Sequence, residues 1–256
     1  MTFEYVGVED VIARGGLRMV VVGNVPSPWS EVAKGILHIK EIAWAGVRLV
    51  YDSEPLKNWA GQLSAPVAVY KREPPRGGWA EILALAEHIA PTPALLPADP
   101  DERALVLDLS HDICGAGGLG WSRRLQLVHA GLHIAGGFPE HVAKYLGRKY
   151  GYNPEAAQSC DARVVVVLGR LGARLKAQHA AGSRYYVGNG LTAADIYSAT
   201  FTALFAPLPS DQCAMDTATR AAFETRDAQT EAALDPILFA HRDMMYAHWL
   251  ELPMAL

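Results

Sequence analysis

A chain of 256 residues, 50% hydrophobic and 20% charged, has ample material for a core in one large domain or two modest ones. A formal net charge of -4 and a pI near 6.1 offer no basic face for nucleic acid, and the adjacent pairs Arg123–Arg124 and Arg148–Lys149 read as solvated surface. Cys114, Cys160 and Cys213 lack CxxC spacing, the N-terminus lacks the pattern of a signal peptide, and no apolar run nears the roughly 20 residues of a membrane helix. A reduced, cytoplasmic protein that meets neither nucleic acid nor membrane is expected.

Residues 1–17 read as an N-terminal arm ending at Gly15–Gly16. Leu17–Val22 (LRMVVV) is a β-branched run of strand type, closed by Gly23. Ser27–Lys40 then places Val32, Ile36, Leu37 and Ile39 at helical spacing, and Ser27-Pro28 is a favoured N-cap with proline at the first helical position. A second strand is expected at Val47–Tyr51. After a polar connector containing Trp59, a third is expected at Pro66–Tyr70. KREPPRGG is turn-rich, with room for a short edge strand, and Trp79–Ile89 is an amphipathic helix ending near Pro91 and Pro93. A small mixed sheet with helices packed on it follows for residues 18–91.

The proline-rich segment 92–101 is a linker. Residues 102–256 then read as helices: Glu102–Cys114, Trp121–His133, Glu140–Tyr150, Ala156–Ala181, Thr192–Phe205, Met215–Glu224 and Glu231–Leu250. VVVVL, inside the fourth of these, sits in too long a helical stretch to be a strand. Leu191-Thr192-Ala193-Ala194-Asp195-Ile196 is a capping box in its Asp form. Thr192 can accept from the N–H three residues on, Asp195 can reach back, and Leu191 and Ile196 can staple across the box.

These segments resemble the glutathione transferase superfamily. VVVGNVPSPWSEVAKGILHIKEI is similar to its first strand, catalytic turn and first helix, SAPVAVY to its cis-proline turn, and YVGNGLTAADIYSATFTAL to the capping-box helix of its second domain. The resemblance spans roughly residues 17–250. It implies an α/β plus all-α chain with the glutathione transferase fold, in which an N-terminal thioredoxin-like domain (18–91) precedes a C-terminal helical bundle (102–256). It also implies a homodimer and glutathione as co-substrate.

Glutathione chemistry needs a thiolate at neutral pH. Lowering a thiol pKa by about two units corresponds to roughly 2.7 kcal/mol of preference for the anion. A hydroxyl donor and a helix N-terminus together are of that order. Read from its pattern alone, Ser27 is an N-cap. The resemblance instead puts it at the catalytic serine position, with Ser30, one turn on, as understudy. Trp29 either lines the site mouth or packs on the second domain. By resemblance, a cis bond at Pro66 turns the backbone of Ala65 toward the cysteinyl part of glutathione, and Gln62 is a candidate for its glycyl end.

Gly78 and Trp79 fall where the family carries an acidic residue and serine for the γ-glutamyl end. Only the helix N-terminus, with the Trp79 N–H, is left there to bind a carboxylate. His111, Cys114, Trp121 and Arg124 are the candidates for a second-substrate pocket between the domains, with Trp121 also readable as core. No metal is expected. His129 and His133 share a helical face and His111 and Cys114 lie one turn apart, but neither pair has a completing ligand. No GxSxG elbow supports a hydrolase. Two functions follow. One is an enzyme joining glutathione to a small electrophile, or using it in reduction or isomerisation, as in detoxification. The alternative is a non-catalytic binding or interaction protein that has kept the fold and lost glutathione affinity.

Overall fold

LRMVV is apolar on both faces except at Arg18, the pattern of a strand covered on both sides. A computed structural model describes residues 3–133 and 136–256, apart from the side chains at 156 and 158. In it the sheet comprises β1 (Phe3–Tyr5), β2 (Leu17–Val21), β3 (Trp44–Arg48) and β4 (Val67–Tyr70), in the order β1-β3-β2-β4. The β1–β3 and β2–β3 pairs are parallel, the β2–β4 pair is antiparallel, and all of β2 is buried.

Side chains alternate across the sheet. Val20, Val47 and Val67 meet Val11 and Leu56 on one face, beneath α1 (Val8–Ala13) and α3 (Glu54–Ala60). Leu17, Met19, Val21 and Ala68 point the other way, into the main core with α2 (Pro28–Ile39) and α4 (Trp79–Ile89).

Four sequence expectations are corrected here. Residues 3–13 of the supposed arm are integral to the sheet layer: β1 extends it and Val11 is fully buried, whereas residues 1–2 lie outside the described residues. The second strand begins three residues earlier than expected, because its register is set by β1 and β2 on either side; Val50 and Tyr51 are exposed beyond it. The connector contains α3, started by Ser53, whose hydroxyl accepts from the Leu56 N–H at 3.3 Å. The edge strand in KREPPRGG is reduced to one antiparallel bridge, Ala68 to Arg76.

The second half is helical: α5 (Pro100–Cys114), α6 (Leu119–His133), α7 (Glu140–Lys149), α8 (Pro154–Ala180), α9 (Ala193–Phe201), α10 (Thr217–Glu224), α11 (Ala228–Ala233) and α12 (Pro236–His248). The VVVVL run lies in α8, with Val164, Val167 and Leu168 buried. The expected helix 231–250 is two helices. Pro236 has no N–H with which to continue α11, and Asp235 restarts the chain by accepting from the Ile237 N–H at 3.1 Å. No helix among the described residues is long and apolar enough to cross a membrane.

Every residue of α9 is buried, and α2, α5 and α12 all pack on it. Its start holds the capping box in altered form. Asp195 accepts from the Thr192 N–H at 2.8 Å, but the Thr192 hydroxyl donates to the same carboxylate instead of accepting from the helix. The domains come close where α2 crosses α9: a methyl group at Gly35 would touch Ile196 of α9 and push the end of the Leu250 side chain aside.

Candidate functional site

Val22-Gly23-Asn24-Val25-Pro26 turns the chain from the end of β2 into α2. Asn24 adopts a left-handed φ of 64°, which asparagine tolerates better than most residues. Ser27 is the N-cap residue, its N–H donating to the Val25 carbonyl at 2.8 Å and its own carbonyl accepting from Glu31 N–H at 2.9 Å. Its hydroxyl makes no capping bond and no other hydrogen bond among the described residues. A half-buried hydroxyl therefore stands free at the positive end of a helix of 12 residues.

Ser30 does not share that freedom, and its reading as an understudy is corrected. It is fully buried, and its oxygen accepts from the Val22 N–H at 3.0 Å, tying α2 to the end of β2. Ser30→Ala is expected to leave that amide unsatisfied at a cost of about 1–3 kcal/mol. Urea denaturation checks it, and any catalytic loss should only track the unfolded fraction.

Three segments converge at this edge of the sheet. Val20 pairs with Val67, so the turn leaving β2 lies beside the residues leading into β4. There the Ala65–Pro66 bond is cis, and Ala65 lies outside the ladder, its backbone N–H and C=O without a partner among the described residues. The antiparallel bridge from Arg76 to Ala68 then brings Gly78–Trp79 to the same end. Trp29, Pro66, Gly77, Trp79 and Tyr197 border a small apolar cavity between these segments.

Gln62 leans against Gly77, close enough that a methyl group there would strike it. At the N-terminus of α4, Glu81 accepts from the Gly78 N–H at 2.9 Å, so one of the donors that could receive a ligand carboxylate is already engaged.

The proposed second-substrate residues divide. Trp29 packs on the helical domain: its Nε1 donates to the Cys114 carbonyl at 3.0 Å and its ring meets Phe201 edge-on at 4.8 Å. A methyl group at Gly120 would collide with the Phe201 ring and crowd that of Trp29. Arg124 lies over Trp29 at 4.1 Å and over Tyr150 at 4.2 Å, with Trp121 edge-on to Tyr150 at 5.4 Å. His111 is exposed and sits apart from that group, 6.5 Å from the Trp79 ring. Tyr197 donates to the Trp79 carbonyl at 3.2 Å and so links α4 to the bundle.

Cys114 is a correction. Its thiol is buried in the core and donates to the Ser110 carbonyl at 2.8 Å, and burial pushes its pKa well up. It is an inert packing residue.

Neither basic pair is merely solvated. Arg123 is buried, donating to the carbonyls of Leu204 and Phe223 at 3.1 and 3.0 Å, and burial pulls its pKa down to about 9. Lys149 is half-buried, and its Nζ donates to the Leu63 carbonyl at 3.0 Å, just ahead of the cis-proline. Sequence reasoning missed Lys149 and Tyr150. The apolar and aromatic spacing of α7 was the available signal, but it does not say which face meets the first domain.

The His129 and His133 rings lie 5.1 Å apart, tilted at 43°, and His129 Nδ1 is 2.6 Å from the Tyr152 hydroxyl. Among the described residues, no group of three or more His, Cys, Asp or Glu side chains is placed to hold a metal ion.

No family model matches the sequence, and no curated protein matches it either. Solved structures do match. A glutathione S-transferase from Methylobacterium radiotolerans, in complex with glutathione sulfonate, aligns over 91% of each chain at 18% identity and a TM-score of 0.61. One from Methylobacillus flagellatus with glutathione bound aligns over 90% of this chain and 94% of its own, at 15% identity and a TM-score of 0.61. A β-etherase from Sphingobium aligns over 91% and 96%, at 18% identity and a TM-score of 0.61. The chain has the glutathione transferase fold, a thioredoxin-like domain followed by a helical one. At such identities the likeness establishes the fold alone.

Proposed function

We propose that this chain is a glutathione-dependent transferase in which Ser27 stabilises the glutathione thiolate for reaction with a small electrophile. The observation that carries the reading is the unengaged Ser27 hydroxyl at the N-terminus of α2, at the same sheet edge as the unpaired backbone of Ala65 before cis-Pro66. A hydroxyl donor aimed at sulfur and the helix dipole both favour the anion. Ala65 can pair with the cysteinyl backbone in the manner of an added strand. Two solved structures of this fold, described above, hold glutathione or its sulfonate. Gln62, beside Gly77, is assigned to the glycyl end, and the Trp79 N–H to the γ-glutamyl carboxylate.

Glu81 favours a second reading, a binding protein of the same fold without glutathione affinity. Its carboxylate already occupies the Gly78 N–H, and like charge repels an incoming γ-glutamyl carboxylate. Thermal unfolding with millimolar glutathione separates the two. Glutathione at 100 times its dissociation constant should add about 2.7 kcal/mol of stability. No shift, together with no retention on immobilised glutathione, would select the binding protein. A homodimer in the cytoplasm belongs to the same proposal, and sedimentation tests the oligomeric part.

A further inference from the structure

Arg124 and Lys149 form a pair of cations with no acidic counterpart. Neither has a carboxylate within ion-pair distance among the described residues, whereas the buried Lys40 is paired with Glu87; the polar partner of Lys149 is the Leu63 carbonyl. The charged and titratable groups felt by Arg124 are Tyr150 and Tyr51, and Lys149 feels Arg124. Both cations lie against the Tyr150 ring, at 4.2 and 5.6 Å. Burial lowers the pKa of each, and for Lys149 the Arg124 charge adds to it, so an anion placed between them would relieve a standing repulsion.

The walls around this charge are aromatic. Trp29 and Tyr150 face Arg124, and Lys149 lies near Tyr51 and Tyr145 at 5.3 and 5.8 Å. Tyr51 and Tyr145 stand edge-on at 5.6 Å and are 49% and 39% exposed, which makes an open aromatic rim rather than a sealed core. Lys149 also anchors the Leu63 carbonyl two residues before Ala65, so the cluster borders the proposed thiol site on the side of the helical domain.

We infer that Arg124 and Lys149 are an anion subsite for the second substrate, which is an aromatic compound carrying a carboxylate or an equivalent monoanion. The ring stacks on the tyrosine rim while the carboxylate bridges guanidinium and ammonium, a use for which the arginine fork is well shaped. This deepens the transferase reading and rests on it for the term second substrate. The anion site itself can be tested without any turnover.

Titration calorimetry with 2-naphthoate and its neutral isostere 2-naphthamide tests it. The acid is expected to bind at least tenfold more tightly than the amide, and raising the salt should erode that preference. Lys149→Met, a half-buried position that should leave the fold intact, and Arg124→Gln should each remove most of the preference while leaving amide affinity within about twofold. Circular dichroism and the melting temperature establish that each variant is folded, and Lys149→Arg should keep the preference. Equal affinity for acid and amide in the native protein overturns the inference, as does a preference that survives both substitutions. Glutathione provides the remaining arm. Saturating glutathione that leaves naphthoate affinity unchanged supports a separate subsite, whereas competition would reassign the cations to a carboxylate of glutathione and overturn it. If glutathione does not bind at all, the transferase reading fails while a retained preference for the acid still identifies the anion site.

Discussion

Replacing Ser27 with alanine is expected to lower glutathione-dependent turnover about tenfold to a hundredfold and to leave the fold intact. One hydrogen bond to a charged group contributes about 1.5–3 kcal/mol, and each 1.36 kcal/mol in the barrier is about tenfold in rate. The fold should survive because the hydroxyl caps nothing: α2 begins with the Ser27 carbonyl accepting from Glu31 N–H, a bond that alanine keeps. The pH dependence carries the sharper signature. Losing a donor to the thiolate raises the thiol pKa, so the rate lost near neutral pH should recover partly as pH rises. An unchanged profile with a lower melting temperature would show that Ser27 serves only the helix.

Asp195→Ala should be the most destabilising single change outside the apolar core, by about 3–5 kcal/mol in chemical denaturation. The carboxylate is fully buried and accepts from the N–H of Tyr186 at 2.9 Å, from the N–H and hydroxyl of Thr192 at 2.8 Å each, and from His241 Nε2 at 3.0 Å. Alanine would leave all of these donors buried without an acceptor, at the start of the helix on which α2, α5 and α12 pack. Asp195→Asn retains one acceptor oxygen but turns an amide toward other donors, so it should fall between native and alanine. A loss below about 1 kcal/mol for alanine would mean that the network relaxes around the gap or fills with water.

Much of the architecture was legible along the chain because it rests on local chemistry. Trp79–Ile89 has the observed bounds of α4 because its apolar spacing is helical and prolines follow it. Ser27-Pro28 and Asp195 mark helix starts that the structure keeps, although the caps work differently: one hydroxyl is left free, and the other donates to a carboxylate. The missed elements are the ones that neighbours create. β1 has three residues and α1 has six, too few to be stable alone, and they exist because β3 offers an unpaired edge and the sheet face receives Val11. Asp235-Pro236, by contrast, was a readable break inside an over-extended helix.

From the sequence by itself come the order of the longer elements and a serine and a proline at helix and strand starts, all of which follow from spacing and backbone chemistry a few residues at a time. Tertiary structure decided which side chains remain free. Ser30 and Cys114 look as reactive in sequence as Ser27, but packing spends one on Val22 and the other on Ser110. It also set Arg124 beside Lys149, from different helices, against rings contributed by both domains. Burial and hydrogen-bond partners are properties of the space around a residue, and that space is shared by segments that periodicity treats one at a time.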